Sequence, residues 1–562
     1  MNSAISHVVG STEEPLLELT IGQALEHAAS RWPGNTALVS RHQDVRLTWS
    51  ELLQAADEFA LGLMALGVGR GDRVGIWAPT CAEWTICQFA TARAGMVLVN
   101  INPAYRASEL EYTLHKVGVK ALVCATSFKT SDYVAMVESV CPVGEVGGPG
   151  VQSQRLPALR HRIKIGGPSR AGWLTFDQVS ASGRERSADE LQGVAAALQP
   201  QDPINVQFTS GTTGLPKGAT LSHHNVLNNA YFVGCGMGLT EGDRLCVPVP
   251  LYHCFGMVMS NLACLLHGAT MVYPSAGFDA RAVLETVEAE RCTALHGVPT
   301  MFIAELDHPE FERFDLSSLR TGIMAGAPCP IEVMNKVLTR MHLRDIGIAY
   351  GMTETSPVSF QTAIDDPIDR RVGTIGRVQP HIEVKVVDPL SGETLPRGMA
   401  GELCTKGYSV MLGYWDDAAL TAKAIEDGWM RTGDLAVIDE HGYSRIVGRL
   451  KDMIIRGGEN IYPREIEEFL YRHPKIQDVQ VVGVPHPKYG EEVCACVRLR
   501  DGAEATADEI IDFCRGQIAH YKMPRYVQFV PEFPMTVTGK VQKHLLRKQV
   551  AQELGLEDTN AA

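Results

Sequence analysis

Long apolar runs are scarce in this sequence of 562 residues. The best candidate for a membrane span, residues 89–104, is broken by Arg93 and Asn100, whereas a transmembrane helix needs about 20 mostly apolar residues. The N-terminal residues lack the basic start and apolar core of a signal peptide. The C-terminal residues do not match a peroxisomal tripeptide. We therefore expect no transmembrane segment, and the cytoplasm as the default location.

Basic residues are also in deficit. The 51 Lys and Arg residues against 65 Asp and Glu residues give a net charge of −14, which is unfavourable for binding nucleic acid over a broad surface. An anionic ligand must therefore be held locally, by backbone N–H groups, a few placed cations or a metal ion. The 14 cysteines form no C-x-x-C motif, so we expect buried free thiols in a reducing compartment and no zinc site.

Helix and strand patterns alternate along much of the chain. Strand-like segments are separated by helical patterns from residue 73 to 125 and again from 204 to 348. This alternation is typical of a parallel α/β sheet. Between the two stretches, residues 142–171 are rich in Gly, Pro, Arg and Ser and are predicted to form an exposed loop.

Two later changes of pattern divide the chain further. From about residue 378 to 442, short strands with turns predict a β-rich subdomain. Beyond residue 452, strands and helices form a pattern typical of a small α+β unit with its own core. We therefore predict a large α/β domain of parallel sheets with a β-rich subdomain at residues 1–448, a connection at 449–452 and a small α+β domain at 453–562.

A candidate phosphate loop is the clearest motif. Residues 209–218 contain three glycines, four hydroxyl residues and a lysine directly after a strand-like segment, and such a loop can turn its N–H groups toward phosphate oxygens. The Walker spacing is not met, because Pro216 and Gly218 replace its glycine and its Ser/Thr. For a single hydroxyl, capping of a local turn is the alternative role. The candidate ligands are Thr209, Ser210, Gly211, Thr212, Thr213, Gly214 and Lys217.

This loop resembles the phosphate signature of the adenylate-forming superfamily, which includes acyl- and aryl-CoA synthetases, peptide-synthetase adenylation domains and beetle luciferases. Further family motifs follow in the expected order: the acyl-pocket gate at 250–256, the adenine loop at 325–328, the adenine and magnesium motif at 350–354, the ribose and hinge motifs at 431–434 and 448–452, and the lysine motif at 534–540. The chain is identified as a member of this superfamily from about residue 20 to 550, most similar to bacterial medium-chain acyl-CoA synthetases.

The resemblance implies an ATP site. Tyr350 offers an aromatic face to adenine, Asp434 offers a carboxylate to the ribose hydroxyls, and Arg449 offers a guanidinium to ribose or phosphate oxygens. Thr353 would bind the α-phosphate, and Glu354 would be a hard oxygen ligand for Mg²⁺. Structural roles in the core, in a turn or at the surface are the alternatives. The remaining implied ATP ligands are Gly326, Ala327, Pro328, Gly351 and Met352.

In this family a carboxylic acid and MgATP first give an acyl-adenylate and pyrophosphate, and the thiol of CoA then displaces AMP. The resemblance assigns Lys540 to the first step, where a lysine reduces the repulsion between two anions. The small domain is implied to be mobile and to rotate about a hinge that aligns with Lys451. Gly457 and Gly458 would then leave room for the pantetheine arm of CoA; a plain β-turn is the alternative.

The acid substrate depends on the pocket behind the gate. Amino-acid-activating members have an aspartate near the gate, and residues 252–256 contain no carboxylate, so an uncharged acyl tail is expected. His253 would close the pocket until the thiol arrives. We expect the methionines to adjust to the tail, and Gly256, Gly322 and Gly351 to leave volume above a floor, which predicts medium-chain acids. The implied pocket residues are His253, Phe255, Met257, Val298, Met324 and Gly351.

Several alternatives stay open at this point. The chain could be an aryl or branched-chain acid CoA ligase, an acyl-AMP ligase that loads a carrier protein, or a non-catalytic homologue. The presence of both Lys540 and Glu354 argues against the last. A monomer and a homodimer are equally compatible with the sequence.

Overall fold

The computed structural model describes residues 5–142, 153–209, 216–457, 459–536 and 540–556. Within these ranges the chain forms two large, mostly parallel sheets, an antiparallel sheet and a smaller C-terminal sheet, besides a short hairpin of Ser127–Phe128 and Ser131–Asp132. Helices cover the large sheets. The α/β fold predicted from the sequence is confirmed.

The first large sheet contains the segment that leads into the phosphate loop. Its strands run parallel up to Pro203–Thr209, and the strands beyond that one are antiparallel. In order across the sheet they are Leu174–Thr175, His161–Ile165, Val119–Ala125, Arg73–Trp77, Val97–Asn100, Pro203–Thr209, Lys217–Ser222 and Gly413–Tyr414.

In the second large sheet, the gate and the adenine loop follow the strands Arg244–Cys246 and Thr321–Ala325. This sheet is parallel in the middle and antiparallel at both edges. In order across the sheet its strands are Arg377–Val378, Val358–Gln361, Asp345–Gly351, Thr321–Ala325, Ala294–Gly297, Arg244–Cys246, Thr270–Tyr273, Thr36–Ser40 and Val45–Thr48.

The antiparallel sheet corresponds to the predicted β-rich region, with one strand from the N-terminal end of the chain. Its strands are His7–Val9, Ile382–Val387, Gly401–Gly407, Trp429–Ile438, Ile425–Glu426 and Ser444–Arg449. The C-terminal sheet consists of Glu459–Ile461, Ile454–Arg456, Gly490–Leu499, Ile476–His486 and Tyr526–Phe529. Separate apolar clusters cover the two faces of this C-terminal sheet. The domain boundaries at 448 and 453 stay a prediction.

Several α-helices begin at a side chain that accepts a hydrogen bond from the first turn. Ser222 caps helix His223–Met237 directly after a strand, and Asn225 returns the hydrogen bond to the Ser222 N–H, which is a capping box. The other helices of the described chain are Ile21–Arg31, Trp49–Ala65, Ala82–Arg93, Ala107–Val117, Tyr133–Val140, Phe176–Arg184, Ala188–Ala195, Ala263–His267, Ala280–Glu290, Pro299–Leu306, Ile331–Arg340, Ile368–Gly373, Ala418–Ala424, Pro463–Leu470, Ala507–Cys514 and Lys543–Glu553.

One segment differs from the prediction made for residues 142–171. Instead of being loop throughout, it contains the strand His161–Ile165, which pairs in parallel with Val119–Ala125. Arg162 and Lys164 on this strand are buried. The ammonium group of Lys164 donates to the carbonyl oxygens of Gly166 and Gly167 at 2.8 and 2.9 Å. Carbonyl partners of this kind allow a cation to be buried. Because charged residues usually indicate an exposed segment, the sequence pattern did not predict this strand.

No helix in the described ranges is long and apolar enough to cross a bilayer. All 14 cysteines fall within these ranges as free thiols, and among them only Cys235 is exposed. In the same part of the chain, no group of three or more His, Cys, Asp or Glu side chains is arranged to hold a metal ion.

Candidate active site

The first sheet positions the two ends of the phosphate loop. Thr209 ends one strand, Lys217 begins the next, and the two residues are directly opposite in the antiparallel register. The ammonium group of Lys217 lies 5.5 Å from the ring centroid of Tyr414. The predicted ligands Ser210, Gly211, Thr212, Thr213 and Gly214 lie outside the described residues.

Glu354 connects this loop to the adenine and magnesium motif. Its carboxylate oxygen Oε1 accepts hydrogen bonds from the Thr209 hydroxyl at 3.2 Å and from the Tyr414 hydroxyl at 2.9 Å. Burial and the Glu354 carboxylate raise the pKa of Tyr414, so its hydroxyl stays a donor. Tyr414 was not predicted as a site residue, and no local signal identifies it, because only the sheet brings it to Glu354.

The predicted adenosine ligands meet at a second cluster. The Tyr350 hydroxyl donates to Oδ2 of Asp434 at 2.7 Å, and Nε of Arg449 lies 3.2 Å from Oδ1 of the same carboxylate. Asp434 and Arg449 are directly opposite on neighbouring antiparallel strands. Burial and Asp434 raise the pKa of Tyr350. The carboxylate is therefore held on both oxygens in a fixed orientation.

Lys540 reaches this cluster from the C-terminal part of the chain. Its side chain packs against the adenine loop, because a Cβ built on Gly326 would lie 3.7 Å from Cε of Lys540. Burial and Arg449 lower the pKa of the Lys540 amine, and the nearby Asp434 and Glu354 carboxylates oppose that shift. Groups that are distant in sequence therefore surround one lysine.

The gate histidine is neutral. Burial, with a contribution from Lys540, lowers the pKa of His253 to about 3. Its Nδ1 accepts the Phe255 N–H at 3.2 Å and lies 3.6 Å from Sγ of Cys254. The same thiol is 3.8 Å from the Thr353 hydroxyl. His253 is thus fixed at the junction of the gate and the magnesium motif.

The predicted acyl pocket is only partly assembled as expected. Phe255 and Met257 lie in a π-helix, Phe255–Leu262, and belong with Val298 to one apolar cluster. Met324 belongs to a different cluster, on the other face of its strand. Alternation along the strand explains this, since Ile323 and Ala325 face the first cluster. Met324 therefore packs apart from the other described pocket residues, and its assignment to the acyl pocket stays a prediction.

The pocket glycines have a different purpose from the one predicted. A Cβ added to any of them would lie only 1.7 to 2.5 Å from a carbonyl oxygen of another segment. The close pairs are Gly256 with Pro250, Gly322 with Leu295, and Gly351 with Pro357. These glycines allow two backbones to approach, and the expectation that they leave volume for the substrate is wrong.

Buried amides that the sequence did not indicate restrain Met257. Its sulfur lies 3.4 Å from Nδ2 of Asn100 and 3.5 Å from Nε2 of Gln207. Asn100 also donates to the carbonyl oxygen of Tyr252 at 3.0 Å. These contacts tie the gate to the first sheet, so Met257 is more restrained than a freely adjusting methionine.

The hinge and CoA segments connect the site to the C-terminal sheet. Lys451 is exposed in the 3₁₀ turn Leu450–Asp452, directly after Arg449. Gly457 has φ of +60°, and its N–H donates to the carbonyl oxygen of Tyr489 at 2.8 Å. This left-handed conformation favours glycine. Gly458 lies outside the described residues.

Known families account for this arrangement. The profile of the AMP-binding enzyme family matches residues 25–415, and that of the AMP-binding enzyme C-terminal domain matches residues 465–540. The chain therefore belongs to the AMP-binding enzymes, among the acyl-CoA ligases, as its motifs predicted.

Relatives agree over nearly the whole length. The Danio rerio mitochondrial medium-chain acyl-CoA ligase ACSF2 is 48% identical over 555 residues, covering 98% of this chain and 91% of the relative. A Bacillus subtilis (strain 168) protein, provisionally named acyl-CoA synthetase YngI, is 50% identical over 546 residues, covering 97% and 99%. The crystal structure of the anthranilate CoA ligase AuaEII in complex with anthranoyl-AMP has a TM-score of 0.85 at 27% identity, covering 97% of this chain and 99% of that one.

Proposed function

We propose that this acyl-CoA ligase is a fatty acyl-CoA synthetase that prefers medium-chain acids. ATP and the acid form an acyl-adenylate and pyrophosphate, and CoA then displaces AMP. The observation that carries the proposal is the position of Lys540 among Glu354, Asp434 and Arg449, near Val298 of the apolar cluster that contains Phe255 and Met257.

ATP lies across the two polar clusters. The ring of Tyr350 stacks on adenine beside Gly326, Ala327 and Pro328, with Gly351 and Met352 at its edge. Asp434, oriented by Tyr350 and Arg449, accepts the ribose hydroxyls. Thr209, Lys217 and the loop residues between them hold the β- and γ-phosphates.

Mg²⁺ fits the chemistry of the donor set around Glu354. The ion prefers oxygen ligands and usually combines one or two carboxylates with phosphates and water. Glu354 supplies the carboxylate, and the phosphates of ATP supply further oxygens. Bound there, the ion would neutralise charge on the phosphates. The hydroxyls of Thr209 and Tyr414 hold the Glu354 carboxylate in place for it.

Lys540 promotes the first step. Its ammonium group bridges the substrate carboxylate and the α-phosphate oxygens, which reduces the repulsion between two anions and stabilises the charge that develops as they react. Thr353 donates its hydroxyl to the same phosphate. Because the Lys540 amine is half-buried beside Arg449, it holds its proton most firmly when the anionic substrates are present.

The second step needs a path for the thiol. Rotation of the C-terminal domain about Lys451 withdraws Lys540 and presents Gly457 and Gly458 to the pantetheine arm. Neutral His253 swings from the gate at this stage, which costs less than moving a charged imidazolium through an apolar pocket.

Two observations support a fatty acid over a charged acid. The gate residues 252–256 contain no carboxylate that could pair with a charged substrate group, and the relative ACSF2 is a medium-chain acyl-CoA ligase. The likeness to AuaEII, an anthranilate CoA ligase, keeps an aryl acid as the second candidate. The free thiols support a reducing compartment such as the cytoplasm.

Turnover with free CoA tests the proposal. AMP release is measured with straight-chain acids from two to eighteen carbons, branched acids and aromatic acids, each with CoA or with a phosphopantetheinyl carrier protein. Each buried methylene is worth about 0.8 kcal/mol, or nearly fourfold in binding. The kcat/KM should therefore climb with chain length until the tail reaches the expected pocket floor, at roughly six to twelve carbons. A maximum at acetate, at aromatic acids or at the longest chains would refute the medium-chain proposal, and turnover with the carrier protein alone would refute CoA as acceptor.

A further inference from the structure

Two contacts join the C-terminal part of the chain to helices beside the active site. In the first, Nε2 of Gln477 donates to Oδ2 of Asp307 at 3.0 Å, and Nη1 of Arg500 lies 3.9 Å from Oδ1 of the same carboxylate. Asp307 is the C-terminal cap residue of helix Pro299–Leu306. A carboxylate at the C-terminal end of a helix is disfavoured by the helix dipole. Gln477 and Arg500, from the C-terminal part of the chain, offset this unfavourable interaction.

The second contact involves the opposite end of a neighbouring helix. Glu468 lies near the backbone N–H of Ile331, the first residue of helix Ile331–Arg340, and this N–H opposes the rise that burial causes in the pKa of the carboxyl group. The cap residue of that helix is Pro330, whose side chain offers no acceptor. Arg464 lies 3.5 Å from Glu468 and also donates to the carbonyl oxygen of Ile446 at 3.2 Å. A carboxylate from another part of the chain therefore lies at the start of a helix that has no side-chain cap, where the helix dipole favours a negative charge.

Both helices lead directly to the surroundings of Lys540. Helix Pro299–Leu306 starts after Val298, and helix Ile331–Arg340 follows the loop that contains Gly326. A Cβ built on Gly326 would lie 3.2 Å from Val298 and 3.7 Å from Lys540. A cleft of about 440 Å³ lies beside the first contact and is lined by Asp307, Gln477 and Arg500 together with Glu332 of helix Ile331–Arg340.

We infer that Asp307 and Glu468 are positioning residues for adenylate formation. By docking the C-terminal sheet and its helix Pro463–Leu470 on these two helices, they hold Lys540 at the adenine loop. The inference rests on the proposed role of Lys540 in the first step. Both carboxylates are half-exposed or exposed, and contacts of this kind are weak enough to be broken in each catalytic cycle.

The experiment separates the two half-reactions in four variants. ATP–pyrophosphate exchange with decanoate measures adenylate formation, and thioester formation from synthetic decanoyl-AMP and CoA measures the second step. Asp307→Ala and Glu468→Ala remove the contacts, and Glu468→Gln keeps an acceptor oxygen. Glu332→Ala is the matched control, because Glu332 lines the same cleft and has no ion-pair partner in the described chain. Thermal unfolding verifies that each variant is folded.

We expect Asp307→Ala and Glu468→Ala to slow exchange by roughly two- to tenfold, the equivalent of one net hydrogen bond, with thioester formation unchanged. Glu468→Gln should recover most of the rate, and Glu332→Ala should match the unaltered chain. Lys540→Ala is the reference. Suppose that Lys540→Ala loses pyrophosphate exchange but keeps thioester formation. If the Asp307 and Glu468 variants then keep both rates, or lose both equally, the positioning inference is refuted and the proposed role of Lys540 stands. If Lys540→Ala shows no selective loss, the proposed role of Lys540 fails, and the inference with it.

Discussion

Removal of the Lys540 ammonium group is the most direct perturbation of the proposed mechanism. The side chain packs against the Gly326 loop and interacts electrostatically with Arg449, Glu354 and Asp434. In Lys540→Ala, no donor remains there to offset the repulsion between carboxylate and α-phosphate. Loss of one preorganised donor at a developing charge costs about 10²- to 10³-fold in kcat, or roughly 2.7–4 kcal/mol. We expect a loss of this size in adenylate formation.

Acid-dependent ATP–pyrophosphate exchange measures that step, and thioester formation from acyl-AMP serves as the control for folding and CoA binding. The second reaction should proceed at its usual rate, since it does not bring the two anions together. An exchange rate in Lys540→Ala equal to that of the unaltered chain would refute the role of the lysine.

The pH dependence gives an independent test of the same group. Burial and Arg449 lower the pKa of Lys540 below that of an exposed lysine, so the free enzyme loses this proton at a lower pH than usual. The kcat/KM of adenylate formation should therefore fall as the pH rises through the lowered pKa. In Lys540→Arg the guanidinium stays charged, and the alkaline decline should move to higher pH. An identical profile in both proteins would contradict the assignment.

Three further predictions concern the surrounding structure. Asp434→Asn removes the charge that faces Arg449 and should lower kcat/KM for ATP by about 10- to 100-fold, the worth of roughly 1.5–3 kcal/mol for a charged hydrogen bond; an unchanged ATP dependence in steady-state kinetics would contradict it. Gly256→Ala places a Cβ 2.5 Å from the Pro250 carbonyl oxygen and should destabilise the fold by about 1–3 kcal/mol, measured by urea unfolding, with a neutral result refuting the close approach. Burial lowers the pKa of His223 and His296 to about 3 each, so between pH 6.5 and pH 3 only the unfolded chain takes up these protons. The free energy of unfolding should therefore be lower at pH 5 than at pH 7 by about 2 kcal/mol per histidine. Equal stability at both pH values would show that these rings are solvated.

The sequence by itself determined the family and the residues to which the chemistry is assigned in the proposal. The phosphate loop, the Tyr350 to Glu354 motif, Asp434 and Lys540 are each recognisable within a few residues, because short motifs fix the local backbone that their chemistry needs. Alternation of helices and strands likewise predicted the α/β fold, since each period records which face of an element is buried.

Tertiary structure decided which residues share a surface. The contacts of Tyr414 with Glu354, and of Asp307 with Gln477, join segments that no local pattern relates. Met324 had the right residue type for an acyl pocket, but the strand turns it to the other face of the sheet.

The same reason explains the errors at the glycines and at strand His161–Ile165. A glycine in the sequence is compatible with open space or with a close approach of two backbones, and only the neighbouring segment distinguishes them; for Gly256 that neighbour is the carbonyl oxygen of Pro250. A lysine in a strand pattern is normally a sign of exposure, yet Lys164 is buried because the carbonyl oxygens of Gly166 and Gly167 accept its hydrogen bonds. Sequence periodicity records the preference of each side chain, whereas the free energy of burial depends on the partners that the fold supplies.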